Sequence, residues 1–272
     1  MPVISAKRND GTEITFYMDG YLRKALDVAI QRVKKKNWDY LAIVSGLPGA
    51  GKSTLAKTIA KYCCPWFDET YIAFTDDAFI DITTSCPEYS AVVLDESFAS
   101  LNTKISLTPE FLKIINHIQL IRQRHLFIIF CIPNFFDLTK GIAIFRSSHL
   151  FVVYDTEGDR GHFIAFDRDQ KKKLYILGSK FIDYHATEAN FHGKFALNKD
   201  IIDEKIYEDR KKEHLMNQNA FKKTNWEVRT ARDDFIWRLY TEKEWSCPEI
   251  SEFTGLSLRR IDELIAKAKK RA

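Results

Sequence analysis

The chain of 272 residues has no uninterrupted apolar run near the roughly 20 residues that a bilayer-spanning helix needs, so no membrane span is expected. Its beginning, Met1 to Arg8, also lacks the apolar core of a secretory signal, and the expected compartment is the cytoplasm. Cysteine is sparse: the five residues Cys63, Cys64, Cys86, Cys131 and Cys247 are odd in number and include an adjacent pair. None of their spacings suits zinc, which excludes a disulfide framework or a zinc module and leaves reduced, mostly buried thiols. Charge of one sign is missing too. With 41 Lys and Arg against 37 Asp and Glu, the net charge is only +4, so nucleic-acid binding must be argued from local clusters. Internal repeats and low-complexity tracts are absent.

What is present is a phosphate-binding loop. Gly46-Leu47-Pro48-Gly49-Ala50-Gly51-Lys52-Ser53-Thr54 follows the apolar run Leu41 to Val44 and leads into a helix-like stretch, Thr54 to Ala60. The glycines let backbone N–H groups turn inward around a β-phosphate, Lys52 supplies a point charge for the β/γ oxygens, and the Ser53 hydroxyl suits Mg2+. ATP and Mg2+ are therefore the expected cofactors, with Gly46, Pro48, Gly49, Ala50, Gly51, Lys52, Ser53 and Thr54 around the phosphates.

The surrounding pattern predicts an α/β fold with a central parallel sheet. Strands are expected at Tyr71 to Phe74, Tyr89 to Leu94, Leu126 to Ile132 and Leu150 to Tyr154, with helices at Tyr21 to Lys36, Pro109 to Arg122 and Asp137 to Phe145. A short hairpin is expected around Gly11. The Lys34-Lys35-Lys36 run reads either as a binding patch or as charge placed against a helix dipole. From about 155 to 195, short alternating segments predict β-hairpins, with Lys171-Lys172-Lys173 at a tip. Residues 196 to 228 read as a charged connector, helical from Glu204 to Leu215 and then a polar linker.

Hydrolysis needs more than a phosphate loop, and Val92-Val93-Leu94-Asp95-Glu96 offers it. An aspartate at the tip of a central parallel strand faces the cleft beyond the sheet, where Asp95 joins Ser53 as a Mg2+ ligand. Glu96 is a carboxylate suited to polarising the attacking water. Asn134, after Pro133, reads either as a γ-phosphate sensor or as the cap of the next helix. Arg122, Arg124 and Arg146 lie near strand edges from which a cation could reach a γ-phosphate across a subunit interface; Arg146 is preferred and Arg124 second.

The C-terminal stretch, residues 229 to 272, carries a second motif. Ser246 with Glu249 makes a capping box, Ile250 and Phe253 give an apolar face, Gly255 suits a left-handed turn, and Ser257 caps a helix with Ile261, Leu264 and Ile265 inward. With a preceding helix from Asp234 to Tyr240, this spacing is that of a helix-turn-helix. Ser257, Leu258, Arg259 and Arg260 start the would-be recognition helix, and Lys267, Lys269, Lys270 and Arg271 are placed to track phosphates. A three-helix module that docks a protein partner fits the same residues.

The loop from Gly46, the Val92 to Glu96 run and Pro133-Asn134-Phe135-Phe136-Asp137-Leu138 leading through Arg146 to Leu150-Phe151-Val152-Val153 resemble the additional-strand, catalytic-glutamate ATPases. Within them, these motifs are most similar to the FtsK/HerA DNA-translocase superfamily and its zonula-occludens-toxin-like phage and mobile-element relatives, over residues 35 to 155. The resemblance implies a RecA-like P-loop NTPase domain, a homo-oligomer such as a hexameric ring, DNA as partner, and a host cytoplasm if the chain is viral. The chain departs from it at Pro133-Asn134, where the superfamily usually has a Thr-Gln sensor. The expected organisation is a P-loop ATPase domain at 1–195, a linker at 196–228 and a small all-α helix-turn-helix domain at 229–272. The expected function is a DNA-associated ATPase motor; a P-loop kinase acting on a hydroxyl and an ATP-switched DNA-binding regulator are the alternatives.

Overall fold

The apolar runs pair as a seven-stranded sheet whose faces are both covered. A computed structural model describes residues 3–8, 11–95, 109–156, 159–198 and 200–269, and divides into two compact units, Met1–Glu208 and Asp209–Ala272. In the first unit the elements run β1 (Val3–Lys7), β2 (Glu13–Tyr17), α1 (Gly20–Lys36), β3 (Tyr40–Gly46), α2 (Lys52–Cys63), β4 (Ile72–Ala73), α3 (Asp76–Ser85) and β5 (Ala91–Leu94). Then come α4 (Pro109–Leu120), β6 (Phe127–Ile132), β7 (His149–Thr156), β8 (Asp159–Phe166), α5 (Arg168–Gly178) and β9 (Phe191–Lys194). The sheet order is β4-β5-β6-β3-β7-β8-β9. The first five of these strands are parallel, and β8 and β9 extend the sheet antiparallel. The fold is thus mixed α/β with a largely parallel central sheet.

Strand periodicity sorts the core into two layers. Tyr40, Ala42 and Val44 of β3 join Phe127, Ile129 and Cys131 of β6 in a cluster with α1 (Leu22, Leu26, Ala29) and α2 (Leu55, Ala56, Ile59). Their neighbours Leu41, Ile43, Ile128 and Phe130 face the other way, onto Phe79 of α3, Ile114 and Ile118 of α4 and Leu174 of α5. Four of the cysteines are buried and all five are free thiols. The N-terminal hairpin β1–β2 pairs antiparallel as a separate two-stranded sheet. From the turn of this hairpin Arg8 reaches across the fold: Nε donates to the carbonyl of Asp200 at 2.7 Å and Nη2 to that of Ile202 at 2.9 Å. Asn198 continues the clasp, accepting from the Tyr17 amide and donating to Thr58 Oγ1 of α2.

Two expectations are corrected. Lys171, Lys172 and Lys173 are not at a hairpin tip but inside α5, because Asp167 caps that helix by accepting from the amides of Asp169 and Gln170. The spacing Lys171, Leu174, Tyr175, Gly178 is that of a buried helical stripe. The polar linker after Leu215 is likewise helix: α6 runs unbroken as Glu204–Thr241. Its Glu, Lys, Arg and Gln residues are good helix formers even without an apolar stripe. The second unit is completed by α7 (Cys247–Thr254) and α8 (Leu258–Lys269), which pack with the end of α6 around Ile236, Leu239, Ile250, Ile261, Leu264 and Ile265. Glu249 accepts from both the amide and the hydroxyl of Ser246, and Gly255 takes a φ of 69° where the chain turns into α8. No helix among the described residues is long and apolar enough to cross a membrane.

Two bases, Lys171 buried and His149 half-buried, lie at the edge of the sheet where β3 and β7 begin. His149 Nδ1 meets Tyr40 Oη at 3.1 Å, and burial pushes its pKa down to about 4. Lys171 Nζ donates to the Ser147 carbonyl at 2.6 Å and to its hydroxyl, and burial, helped by Arg168, brings it to about 7. Because the unfolded chain protonates His149 first, the folded state loses up to about 3 kcal/mol from this residue as pH falls from 6.5 to 4. The Lys171 cost is fully present below pH 7 and fades as pH rises toward its unfolded value. Urea denaturation of wild type and His149→Phe at pH 7.5, 5.5 and 4.5 is expected to show a steeper acid loss in wild type; parallel curves would contradict the assignment.

Candidate functional site

The parallel strands end together, and the turn after β3 is shaped by glycine. Gly46 takes φ 151°, and a Cβ there would stand 2.3 Å from the Val153 carbonyl oxygen of β7, so only glycine allows the two strands their approach. Gly49 at φ 80° and Gly51 at φ 101° are left-handed, and Gly51 is the residue from which α2 starts. The loop closes through the Ala50 amide on the Leu47 carbonyl at 3.2 Å. Leu47, Pro48 and Gly49 are exposed, leaving the rim open above the α2 N-terminus, where Lys52, Ser53 and Thr54 begin the helix. The N-terminal amides and dipole of α2 favour an anion there. Lys52 Nζ lies over the loop, donating to the carbonyls of Gly46 and Leu47 at 2.9 Å each.

Beside the loop stands Asp95, which directly follows β5 and is 1% exposed. Ser53 Oγ donates to Asp95 Oδ1 at 3.0 Å, and Tyr207 Oη donates to Asp95 Oδ2 at 2.7 Å. A buried carboxylate demands such donors, since a lone charge in a dry interior is costly. Tyr207 lies in the first turn of α6, with its ring 5.7 Å from that of Phe74 and Lys57 Nζ 4.3 Å from its centroid. Lys57, on α2, pairs with Glu204 at 2.6 Å. Burial and the adjacent carboxylate push the Tyr207 phenol well above its ordinary range, so it stays protonated and remains a donor. Ser53 and Asp95 offer hard oxygen atoms, one of them anionic, next to an anion-binding helix end; this donor set fits Mg2+.

Asn134 follows β6, the strand between β3 and β5. Its Oδ1 accepts from the Phe136 amide at 3.3 Å and from Tyr184 Oη at 3.1 Å. Tyr184 Oη also takes the Phe135 amide at 2.9 Å and meets Ser45 Oγ at 3.2 Å, binding the end of β6 to that of β3. The cap reading of Asn134 is therefore seen, on a short 3-10 turn, Phe135–Asp137. Next to the loop lies a cavity of about 1080 Å3, lined by Gly46, Leu47, Tyr184, His185, Glu188 and His192 among others.

The structure does not gather every expected residue here. Glu96 lies outside the described residues. Arg124 and Arg146 stand at the opposite edge of the sheet, because each precedes its strand (β6 and β7) whereas the glycine loop follows the parallel β3. Arg146 pairs with Asp39 and donates to the Ile118 carbonyl at 3.1 Å, and Arg124 is spent on the carbonyls of Thr84 and Cys86. Arg122 closes the 3-10 turn before β6 at that same edge. In the second unit, the Ser257 carbonyl receives the amides of Arg260 and Ile261 at the start of α8. Leu258 and Lys267 are exposed, and Arg259 and Arg260 both pair with Glu263 at 3.3 and 3.1 Å. Tyr207, Glu204, Lys57 and Tyr184 had no signal in the sequence, since each meets its partner only through the fold.

No family model matches the chain, and no curated protein matches it. Among solved structures, it is similar to the genome packaging NTPase B204 from Sulfolobus turreted icosahedral virus 2 in complex with AMPPCP, at 13% identity and a TM-score of 0.35 over 49% of this chain and 94% of that one. It is similar also to the N-terminal domain of zonular occludens toxin from Neisseria meningitidis, at 15% identity and a TM-score of 0.38 over 60% of this chain and 97% of that one.

The close approach at Gly46 has a direct test. Gly46→Ala drives a methyl group into a neighbouring backbone carbonyl and is expected to destabilise the first unit by about 3 kcal/mol, read as a lower urea midpoint. A midpoint equal to wild type would show that β3 and β7 can separate at no cost.

Proposed function

We propose that this chain is a Mg2+-dependent ATPase that works on DNA as a homo-oligomer, as a translocation, packaging or loading motor of a viral or mobile-element system. The observation that carries the reading is the Ser53–Asp95 hydrogen bond beside the Lys52 loop. It joins an anion-binding helix end to a buried carboxylate, the pairing that a metal–triphosphate complex requires. Gly46, Pro48, Gly49, Ala50, Gly51 and Thr54 wrap the phosphates, Lys52 exchanges its loop carbonyls for the more strongly accepting phosphate oxygens, and Ser53 and Asp95 hold the metal. Mg2+ held there would supply charge neutralisation for the triphosphate. Glu96, next in the chain to Asp95, takes the role of orienting water and accepting its proton. Asn134, after the intervening strand β6, donates toward the γ-phosphate. Arg146 and Arg124, tied to Asp39 and to the Thr84 and Cys86 carbonyls, take no part in the phosphate site of their own chain; a role toward a neighbouring subunit would require those bonds to be exchanged.

DNA association rests on the exposed cations of α8: Arg259 and Arg260 with Lys267 about two turns on, and Ser257 and Leu258 at its start. A protein partner on the same module is the competing use. One observation favours a second reading, a P-loop kinase: the cavity beside Gly46 and Leu47 has room for a hydroxyl-bearing substrate next to the phosphates.

Phosphate release with and without DNA decides between them. Wild type is expected to hydrolyse ATP faster with DNA, Lys52→Ala to lose nucleotide binding, and Glu96→Gln to bind ATP while turnover falls at least a hundredfold. ADP formed only when a hydroxyl acceptor is added would instead establish the kinase. The Arg259→Ala, Arg260→Ala, Lys267→Ala triple variant is expected to weaken DNA affinity at least tenfold, with a shallower salt dependence. Unchanged affinity would assign α8 to a protein partner.

A further inference from the structure

We infer that Tyr207 is a positioning residue for the metal-site carboxylate, so that the first turn of α6 is part of the nucleotide site; this deepens, and rests on, the reading of Ser53 and Asp95 as metal ligands. The two oxygens of Asp95 have different partners. Oδ1 faces Ser53 on the loop helix, 42 residues away in sequence, and Oδ2 receives the Tyr207 hydroxyl, 112 residues away. An aspartate χ2 torsion is broad and roughly two-fold, so a single hydrogen bond leaves the carboxylate free to turn. The second bond fixes which oxygen faces Ser53.

The phenol is itself held on three sides. Its ring packs on Phe74, which follows β4, and beneath the Lys57 ammonium. Lys57 is 5% exposed and sits one turn after Ser53 on the same face of α2. Glu204, one turn before Tyr207, clamps Lys57 at 2.6 Å. The Asp203 carboxylate caps the turn, accepting from the amides of Lys205 and Ile206 at 2.9 and 3.1 Å. Ile201, Ile202 and Tyr207 are 1–3% exposed and belong to the same core layer as α2. A hydroxyl aimed at a buried carboxylate from so constrained a ring is placed to orient charge. Packing alone would be served by phenylalanine.

Tyr207→Phe deletes only that hydroxyl and keeps the ring. Full-length wild type and variant are titrated with a fluorescent ATP analogue carrying a methylanthraniloyl group, first in excess EDTA and then at fixed analogue with rising Mg2+. The expected result is an EDTA affinity within twofold of wild type and a half-saturating Mg2+ concentration raised about tenfold, the size of losing one hydrogen bond to a charged group. An unchanged Mg2+ requirement would reduce Tyr207 to packing, and a lowered one would mean that the phenol competes with the metal for Asp95; either overturns the inference. Wild type that binds the analogue without any response to Mg2+ would overturn the metal-site reading itself. Should Tyr207→Phe not fold, Glu204→Gln loosens the same turn with the hydroxyl intact. It is expected to raise the Mg2+ requirement two- to fivefold, and no change there would overturn the inference as well.

Discussion

A carboxylate with 1% exposure at the tip of a parallel strand is the constraint to which this molecule answers. Taken out of water, Asp95 must find donors within the protein, and its partners come from elements that only the finished fold assembles. The hydroxyl of Ser53 is offered by the helix that the glycine loop starts; the hydroxyl of Tyr207 is offered by a helix more than a hundred residues later. Satisfying that one charge ties together the loop, the sheet and the first turn of α6, all within the first unit.

The sheet separates two kinds of chemistry. At the ends of β3, β5 and β6 stand the glycine loop, Asp95 and Asn134, under an open rim. At the opposite edge, where β3, β6 and β7 begin, stand groups matched to one another: Arg146 with Asp39, Arg124 with carbonyls, His149 with Tyr40, and Lys171 with Ser147. Parallel pairing over β3, a strand of about 20 Å, keeps the two sets apart. An arginine that merely precedes a strand therefore belongs to the wrong edge for a phosphate bound in its own chain.

What could be read in advance was whatever is local. The glycine spacing, the helix after it and the runs Leu41–Val44, Val92–Leu94 and Phe127–Ile132 each carry their meaning within a few residues, and the loop, the buried strands and the place of Asp95 followed from them. Arg146 could not be read, because its salt-bridge partner is 107 residues away and an arginine beside a strand looks alike at either end. Nor could Tyr207, whose surroundings, Glu204 to Arg210, are charged apart from Ile206. The lysines of α5 misled for a related reason: three consecutive cations suggest a solvated tip, and nothing local shows that the first of them is 0% exposed against the Ser147 carbonyl. The charge of α6 misled in the opposite direction, since residues that solvate a linker also build a helix.

The guanidinium of Arg8 adds a mechanical side to this arrangement. By gripping the carbonyls of Asp200 and Ile202, the N-terminal ribbon tethers the short run of chain that delivers Glu204 and Tyr207 to their partners. A protease cut just after Arg8, or a protein that peeled the ribbon away, would slacken that tether, and the freedom gained there would surface as a loosened aspartate nearly ninety residues further along the chain.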